Sequence, residues 1–369
     1  MKRSFIREIL DVITRDTISF AGGLPDASLF PLDALRDAAD AVLRDPSSLQ
    51  YARSQGESAL REKIAARYTA GGFPTRPDEI LITTGSQQAI NLIAKAFLEN
   101  GVTVELPAYL GALNVFRLAG VGIEGVALHT EGVDIEGLRR SSARTNAAYL
   151  IPDFQNPTGL SYSDERRKEV ADVFAANGAL LIEDAAYSEL YFDRKRRPVS
   201  ADLPSQSFHL GSFSKVLAPG LRVGWIRTDE EKIRRLLIVK EALDLHTATL
   251  NQRIIDVYWQ AHGLDAHIAA IRSSYGQKME TLAGVLKKEL PQFIFEKPEG
   301  GMFIYGNLPG TDTMALVRRC IENGAAFVPG SEFYPAEGAT DEIRFNYTNA
   351  TPEQMERGMR IIAEQAALL

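Results

Sequence analysis

Ser212-Phe213-Ser214-Lys215, followed by Pro219-Gly220-Leu221-Arg222-Val223-Gly224, sets an amine beside two hydroxyls and a guanidinium. The apolar run Phe208–Gly211 precedes the lysine and a Gly/Pro loop follows it. Lys215 therefore stands at an expected strand end, where open α/β sheets take their ligands. Arg222 supplies charge, and Ser212 and Ser214 supply hydrogen bonds, for a phosphate. Lys215 is then free to form a Schiff base with an aldehyde. A phosphate-binding loop without covalent chemistry also satisfies this segment.

Three further segments carry chemistry. Glu183-Asp184-Ala185-Ala186-Tyr187 closes another apolar run. A carboxylate there is costly unless something pairs with it. A pyridinium nitrogen would do so, and Asp184, by keeping it protonated, would let the ring draw electrons from a bound carbon. Tyr187 is placed to donate to a phenolate oxygen of that ring. The alternative is a carboxylate capping the next helix. Gln155-Asn156-Pro157-Thr158-Gly159 brings an amide that can reach the same oxygen, or is simply a turn. Thr84-Gly85-Ser86-Gln87 joins a strand to a helix, whose first N–H groups are free for a phosphate; many α/β loops share that form. The four segments occur in order, each at an expected strand end, so plain readings would have to coincide four times.

The elements that position them follow from patterning. Ile80–Thr84, Val102–Leu106, Ala148–Ile151, Ala179–Ile182, Phe208–Gly211 and Val223–Arg227 read as strands apolar on both faces, as in a mainly parallel sheet. Gln87–Leu98 and Asp164–Asn177 read as helices, the second with Ser163 as N-cap and Gly178 as stop. This alternation predicts an α/β fold. After about residue 255 the pattern changes to a long helix over Ile268–Leu290, short strands near Gly301–Tyr305, Ala326–Val328 and Glu342–Asn346, and a helix after Thr351. A smaller α+β domain is expected there. Ile6, Ile9, Leu10 and Ile13 form an apolar helical stripe expected to pack with it.

The chain has 369 residues, 45% hydrophobic and 24% charged, which suits a globular protein large enough for two domains. No run is long enough to span a membrane, and the first residues lack a secretory pattern. Cys320 is the single cysteine, so no internal disulfide forms. A cytoplasmic protein is expected. The net charge of −7 and the lack of a basic stripe argue against nucleic acid. Arg194-Lys195-Arg196-Arg197 reads as a solvated turn. The five histidines show no metal-ligand spacing, and no metal is expected.

Ser-x-Ser-Lys-x-x-x-Pro-Gly-x-Arg, with Asn-Pro-x-Gly and Asp-x-x-Tyr upstream, is highly specific. The chain resembles the class I/II aminotransferases of the fold-type I pyridoxal-phosphate enzymes, from Ser19-Phe20-Ala21-Gly22-Gly23 to Arg344. The resemblance implies a large domain over 31–255, with a mainly parallel seven-stranded sheet between helices. It implies a smaller domain from 1–30 and 256–369. It makes Lys215 the Schiff-base lysine and proton shuttle, Asp184 the partner of the ring nitrogen, and Asn156 and Tyr187 the ligands of the ring oxygen. Tyr109 would stack on the ring; Ser86, Gln87, Ser212, Ser214 and Arg222 would form the phosphate cup. Tyr51 would reach the phosphate of a neighbouring subunit in a homodimer, or else is a packing tyrosine. Arg344 would grip the substrate α-carboxylate, which a planar guanidinium fits bidentately.

Ser4-Phe5-Ile6-Arg7-Glu8-Ile9-Leu10, Phe20-Ala21-Gly22-Gly23-Leu24-Pro25 and Asp244-Leu245-His246-Thr247 are most similar to the 2-aminoadipate and kynurenine-type subgroup. The resemblance implies that Arg7 meets the distal carboxylate of 2-aminoadipate or glutamate, with Ser4 and Gly23 in the same pocket. A solvated Arg7 paired with Asp11 is the alternative. The chain departs from the subgroup in a later start, a short loop near Asn100–Val104, and Ala185 where many relatives have a second acid. The implied reaction is ping-pong transfer of an amino group from an amino acid, across a dicarboxylic or broad aromatic and aliphatic range, to a 2-oxo acid such as 2-oxoglutarate. The rival with the same cofactor is other Cα chemistry, such as β-elimination of the C–S lyase type. A transcription regulator with an aminotransferase-like sensor would carry a DNA-binding domain first, and the pattern here begins almost at Met1.

Overall fold

A computed structural model describes residues 16–336 and 338–369. Ser4, Arg7 and the apolar stripe at 6–13 lie outside the described residues. Strand β1 (Ile18–Ser19) comes first. Eight strands then build one sheet: β2 (Ile80–Thr83), β3 (Val102–Leu106), β4 (Ile123–His129), β5 (Gly132–Val133), β6 (Ala147–Leu150), β7 (Leu180–Asp184), β8 (Ser207–Ser212) and β9 (Gly224–Arg227). Their spatial order is β2-β9-β8-β7-β6-β3-β4-β5. Only β9 and β5 run against the other six. The sheet is thus mainly parallel, as expected, but has eight strands rather than seven, because Gly132–Val133 folds back on the end of β4.

The helices are α1 (Leu32–Leu43), α2 (Ser58–Ala70), α3 (Ser86–Phe97), α4 (Leu110–Leu118), α5 (Ile135–Thr145), α6 (Asp164–Asn177), α7 (Glu230–Leu243), α8 (Thr249–His262), α9 (Asp265–Glu289), α10 (Thr313–Glu322) and α11 (Pro352–Ala366). Ser163 caps α6 by accepting from Arg166 N, and Gly178 ends it with φ +71°, as the sequence predicts. Both faces of the sheet are covered. In β6, Tyr149 packs in the core that holds α3 and α4, while Ala148 and Leu150 pack against α5 and α6. Burial on both sides is why these strands read as unbroken apolar runs. Strand β4 escapes that reading because only Val126 of its seven residues is buried.

The second sheet contains β10 (Ile294–Phe295), β11 (Phe303–Asn307), β13 (Val328–Pro329) and β14 (Glu342–Asn346), in the order β10-β11-β14-β13. Strand β12 (Ala325–Ala326) instead pairs in parallel with β1. The boundary expected at 255/256 falls inside α8, which runs unbroken to His262. The basic run 194–197 is not simply solvated. Arg194 pairs with Asp164, Lys195 with Glu189, Arg196 with Glu299 and Arg197 with Asp202, and the Arg196 side chain is only 11% exposed. Among the described residues no helix is long and apolar enough to cross a membrane.

Candidate active site

Six strands of the large sheet point the same way, so the loops after them open at one edge. Those loops carry Ser86 after β2, Tyr109 after β3, Asn156 after β6, Asp184 at the end of β7 and Lys215 after β8. Arg222 lies just before the reversed strand β9 and so arrives at the same edge. A cavity of about 500 Å³ opens there. Its lining includes Gly23, Ser86, Gln87, Tyr109, Asn156, Tyr187, Ser212, Ser214, Lys215, Arg222 and Arg344.

Lys215 Nζ donates to Gly23 O at 2.8 Å. Burial, then the charges of Arg344 and Arg222, hold its ammonium down at about 8, against the opposing pull of Asp184. The Asp184 carboxylate is buried and forms no ion pair among the described residues. It accepts from Tyr149 OH at 2.6 Å and from Ala186 N at 3.1 Å. Burial pushes its pKa up, and those two donors oppose the rise. Asn156 joins two other groups: its Nδ2 donates to Tyr187 OH at 3.1 Å, and its Oδ1 accepts from Arg344 at 2.7 Å. Burial raises the Tyr187 phenol pKa, so Tyr187 remains a donor.

Arg344, 1% exposed, also donates to Ala21 O at 2.5 Å and lies over the Phe303 ring at 4.2 Å. Burial lowers its pKa to about 10. Its Nε is buried without an acceptor among the described residues. Orphaned donors of this kind are rare in native interiors, and this one belongs to a guanidinium lining the cavity.

At the other end Ser212 Oγ accepts from Ser214 N at 3.1 Å, and Arg222 donates to Ser214 Oγ at 3.3 Å. Gly85 precedes α3 with φ +79° and ψ 168°, a region essentially restricted to glycine. A Cβ on it would meet Arg222 Nη2 at 2.4 Å. The glycine thus lets the guanidinium lie against the helix start, where free N–H groups and positive charge combine. Gln87 turns to Gly111 O at 2.8 Å and accepts from Tyr109 OH at 3.4 Å.

Tyr51 is not in this cavity. It is 79% exposed, edge-on to His246 at 5.8 Å. Ser4 and Arg7 lie outside the described residues. Sequence reasoning missed Tyr149, which sits inside an apolar strand and meets Asp184 only because β6 and β7 pair. It also missed Asn114 and Leu110, which bring one face of α4 to the cavity, and Phe333, which reaches it from the helical turn Gly330–Phe333 after β13.

The model of the family described as aminotransferase class I and II matches residues 16–362. The chain belongs to the class I and II aminotransferases. It is 37% identical to a 2-aminoadipate transaminase of Thermus thermophilus, over 98% of this chain and 93% of that one. It is 34% identical to aromatic-amino-acid aminotransferase 1 of Thermococcus litoralis, over 99% and 91%. The structure of LysN, the α-aminoadipate aminotransferase of Thermus thermophilus, complexed with N-(5'-phosphopyridoxyl)-L-leucine, superimposes with a TM-score of 0.92 at 36% identity, covering 100% of this chain and 96% of that one. The chain is therefore a fold-type I aminotransferase that works with pyridoxal phosphate.

Proposed function

We propose that this aminotransferase carries out its reaction in the cavity at the sheet edge, with Lys215 as the catalytic amine. The observation that carries the reading is the convergence on one cavity of an amine with a depressed pKa and a buried guanidinium, with the buried Asp184 carboxylate at the end of β7, directly before the lining residues Ala186 and Tyr187. The donor set fits pyridoxal phosphate. Ser86, Ser212, Ser214, Arg222 and the start of α3 suit its phosphate; Asn156 and Tyr187 suit the ring oxygen; Asp184 suits the ring nitrogen; Tyr109 suits the ring face. When bound, the cofactor supplies an aldehyde that condenses with amines and a ring that withdraws electrons from the substrate Cα.

The residues then divide the work. Arg344 takes the substrate α-carboxylate through its guanidinium, which fixes Cα relative to Lys215. Lys215 Nζ, held near the ambient pH range, takes the proton from the substrate Cα and would deliver it to the cofactor's former aldehyde carbon, which leaves the amino group behind when the oxo acid departs. Asp184 would pair with the ring nitrogen of the cofactor, and Tyr149, which donates to its carboxylate, would hold it in position. The amino group is retained between two half-reactions, which gives ping-pong kinetics, with 2-oxoglutarate as the proposed acceptor.

The amino donors we propose include 2-aminoadipate and glutamate. Support comes from the Thermus relative named for 2-aminoadipate; the aromatic relative extends the range. The cavity lining also includes Leu24, Leu110, Asn114 and Phe333, mostly apolar, which suits a broad range of side chains. Arg7 remains the proposed reader of a distal carboxylate. We also propose a homodimer, supported by the exposure of Leu49 and Tyr51 (70% and 79%) beside His246. The division into a larger and a smaller domain is best placed at Gly263, where α8 ends. The test is a panel of amino donors with 2-oxoglutarate on the native enzyme and on Arg7→Ala. Selective loss of dicarboxylic donors supports the reading. Equal loss of all donors, or of none, overturns the Arg7 role, and failure of every donor with 2-oxoglutarate overturns the acceptor.

A further inference from the structure

A second cavity, of about 300 Å³, lies between α2, the 185–198 segment, strands β8 and β9, and the α8–α9 junction. It shares only Ala186 and Ser212 with the cofactor cavity. Its interior is aromatic and aliphatic, with Phe73, Phe213, Trp225, Trp259, Leu264 and Ile268 among its walls. Protein interiors close up to crystal-like density and leave few voids larger than a water molecule. Water gains little from entering an apolar void, whereas a compact apolar molecule gains contacts on every wall. This volume lies at the lower end of the range of small-molecule pockets, roughly 300–1,000 Å³.

The polar part of the lining has a different chemistry. Arg67, Lys195, Arg196 and Arg197 all belong to it, and Glu189 is the one carboxylate among the described lining residues. The acids that pair with Arg196 and Arg197, Glu299 and Asp202, lie outside the cavity. Arg196 is the group to which a ligand can add most. Its side chain is 11% exposed, and Glu299 engages one of its two terminal nitrogens. A carboxylate in the cavity can meet the other; a charge-assisted bond from a largely desolvated guanidinium is among the stronger ones available.

We propose that this cavity is a binding site for a compact aromatic carboxylate, ring inward among the aromatic walls and carboxylate on Arg196. The proposal does not depend on the roles assigned to the cofactor cavity. The chain has two tryptophans, Trp225 and Trp259, and both line this cavity while neither lines the other. Intrinsic fluorescence therefore reports occupancy directly.

The experiment titrates the holoenzyme with hydrocinnamate and, separately, with the neutral hydrocinnamyl alcohol, following tryptophan emission and the heat of binding. Saturable quenching by the acid is expected. Ile268→Phe fills the cavity and should abolish it. Arg196→Gln should weaken the acid by on the order of tenfold and leave the alcohol unchanged. Because hydrocinnamate also resembles an amino-acid substrate, Arg344→Met is titrated in parallel and should quench like the native enzyme. The proposal is overturned if no saturable quenching occurs, if Ile268→Phe binds normally, or if Arg344→Met removes the signal. Should Ile268→Phe not fold, the Arg196→Gln contrast between acid and alcohol decides alone: equal weakening of both, or of neither, overturns it.

Discussion

Glu105 offers a test of the physical account that is independent of catalysis. It lies on β3 and is 2% exposed. One carboxylate oxygen accepts from Tyr162 OH; the other accepts from Ile151 N at 3.1 Å and from Gln155 Nε2 at 3.4 Å. Gln155 in turn donates to Pro107 O and accepts from Thr158, so Glu105 braces the loops that carry Tyr109 and Asn156. Burial pushes its pKa from 4.5 up to about 7; the three donors oppose this and the charge of Asp184 adds to it. The folded state thus holds the proton more tightly than the unfolded chain. Its contribution to stability is complete below 4.5 and is lost as the pH rises to about 7. At about 1.4 kcal/mol per pH unit, the loss comes to about 3 kcal/mol.

Glu105→Gln mimics the protonated acid. Its Nε2 can donate to the Tyr162 hydroxyl oxygen, and its Oε1 can accept from Ile151 N and Gln155 Nε2. The variant should match the native protein near pH 5 (about the ordinary carboxylate range) and exceed it by about 3 kcal/mol at about pH 8. Urea unfolding of the apoenzyme at both pH values, with native and variant compared at each so that other titrating groups cancel, measures this. A variant that is no more stable than the native protein at the higher pH would refute the reasoning.

Lys215→Ala should reduce turnover by several orders of magnitude and remove the visible band that forms with pyridoxal phosphate; retention of both would contradict the assigned amine. Tyr149→Phe leaves Asp184 with Ala186 N as its remaining donor. A buried bond to a charged acceptor is worth about 1.5–3 kcal/mol, so kcat should fall on the order of tenfold or more with KM for the amino donor little changed. An unchanged kcat would remove Tyr149 from the account. Gly85→Ala puts a Cβ at 2.4 Å from Arg222 and a side chain at φ +79°. Cofactor affinity, measured by equilibrium dialysis, should weaken on the order of tenfold or more, while turnover at saturating cofactor changes less; unchanged affinity would separate Arg222 from the phosphate end.

The sequence determined the local half of this enzyme. Apolar runs located the central strands because those strands are covered on both faces. Ser163 and Gly178 bounded α6 because capping is settled by neighbouring residues. The motifs around Lys215, Asp184, Asn156 and Ser86 were legible for the same reason: each follows a strand, and parallel strands deliver their next loops to one edge. Strand β4 was not legible, since one buried residue in seven gives no pattern, nor was the run through α8 across residue 255. What the tertiary structure decided was every pairing between distant segments. Asn156 meets Arg344 across 188 residues, Asp184 meets Tyr149 through strand pairing, and Glu105 acquires its raised pKa from surroundings drawn from several loops. Tyr51 and Arg196 likewise took their places from the packing, one on an exposed face and one in the lining of a cavity. Burial, and the identity of a group's partner, are non-local quantities. They appear only when the sheets close over their helices, and no spacing within one segment encodes them.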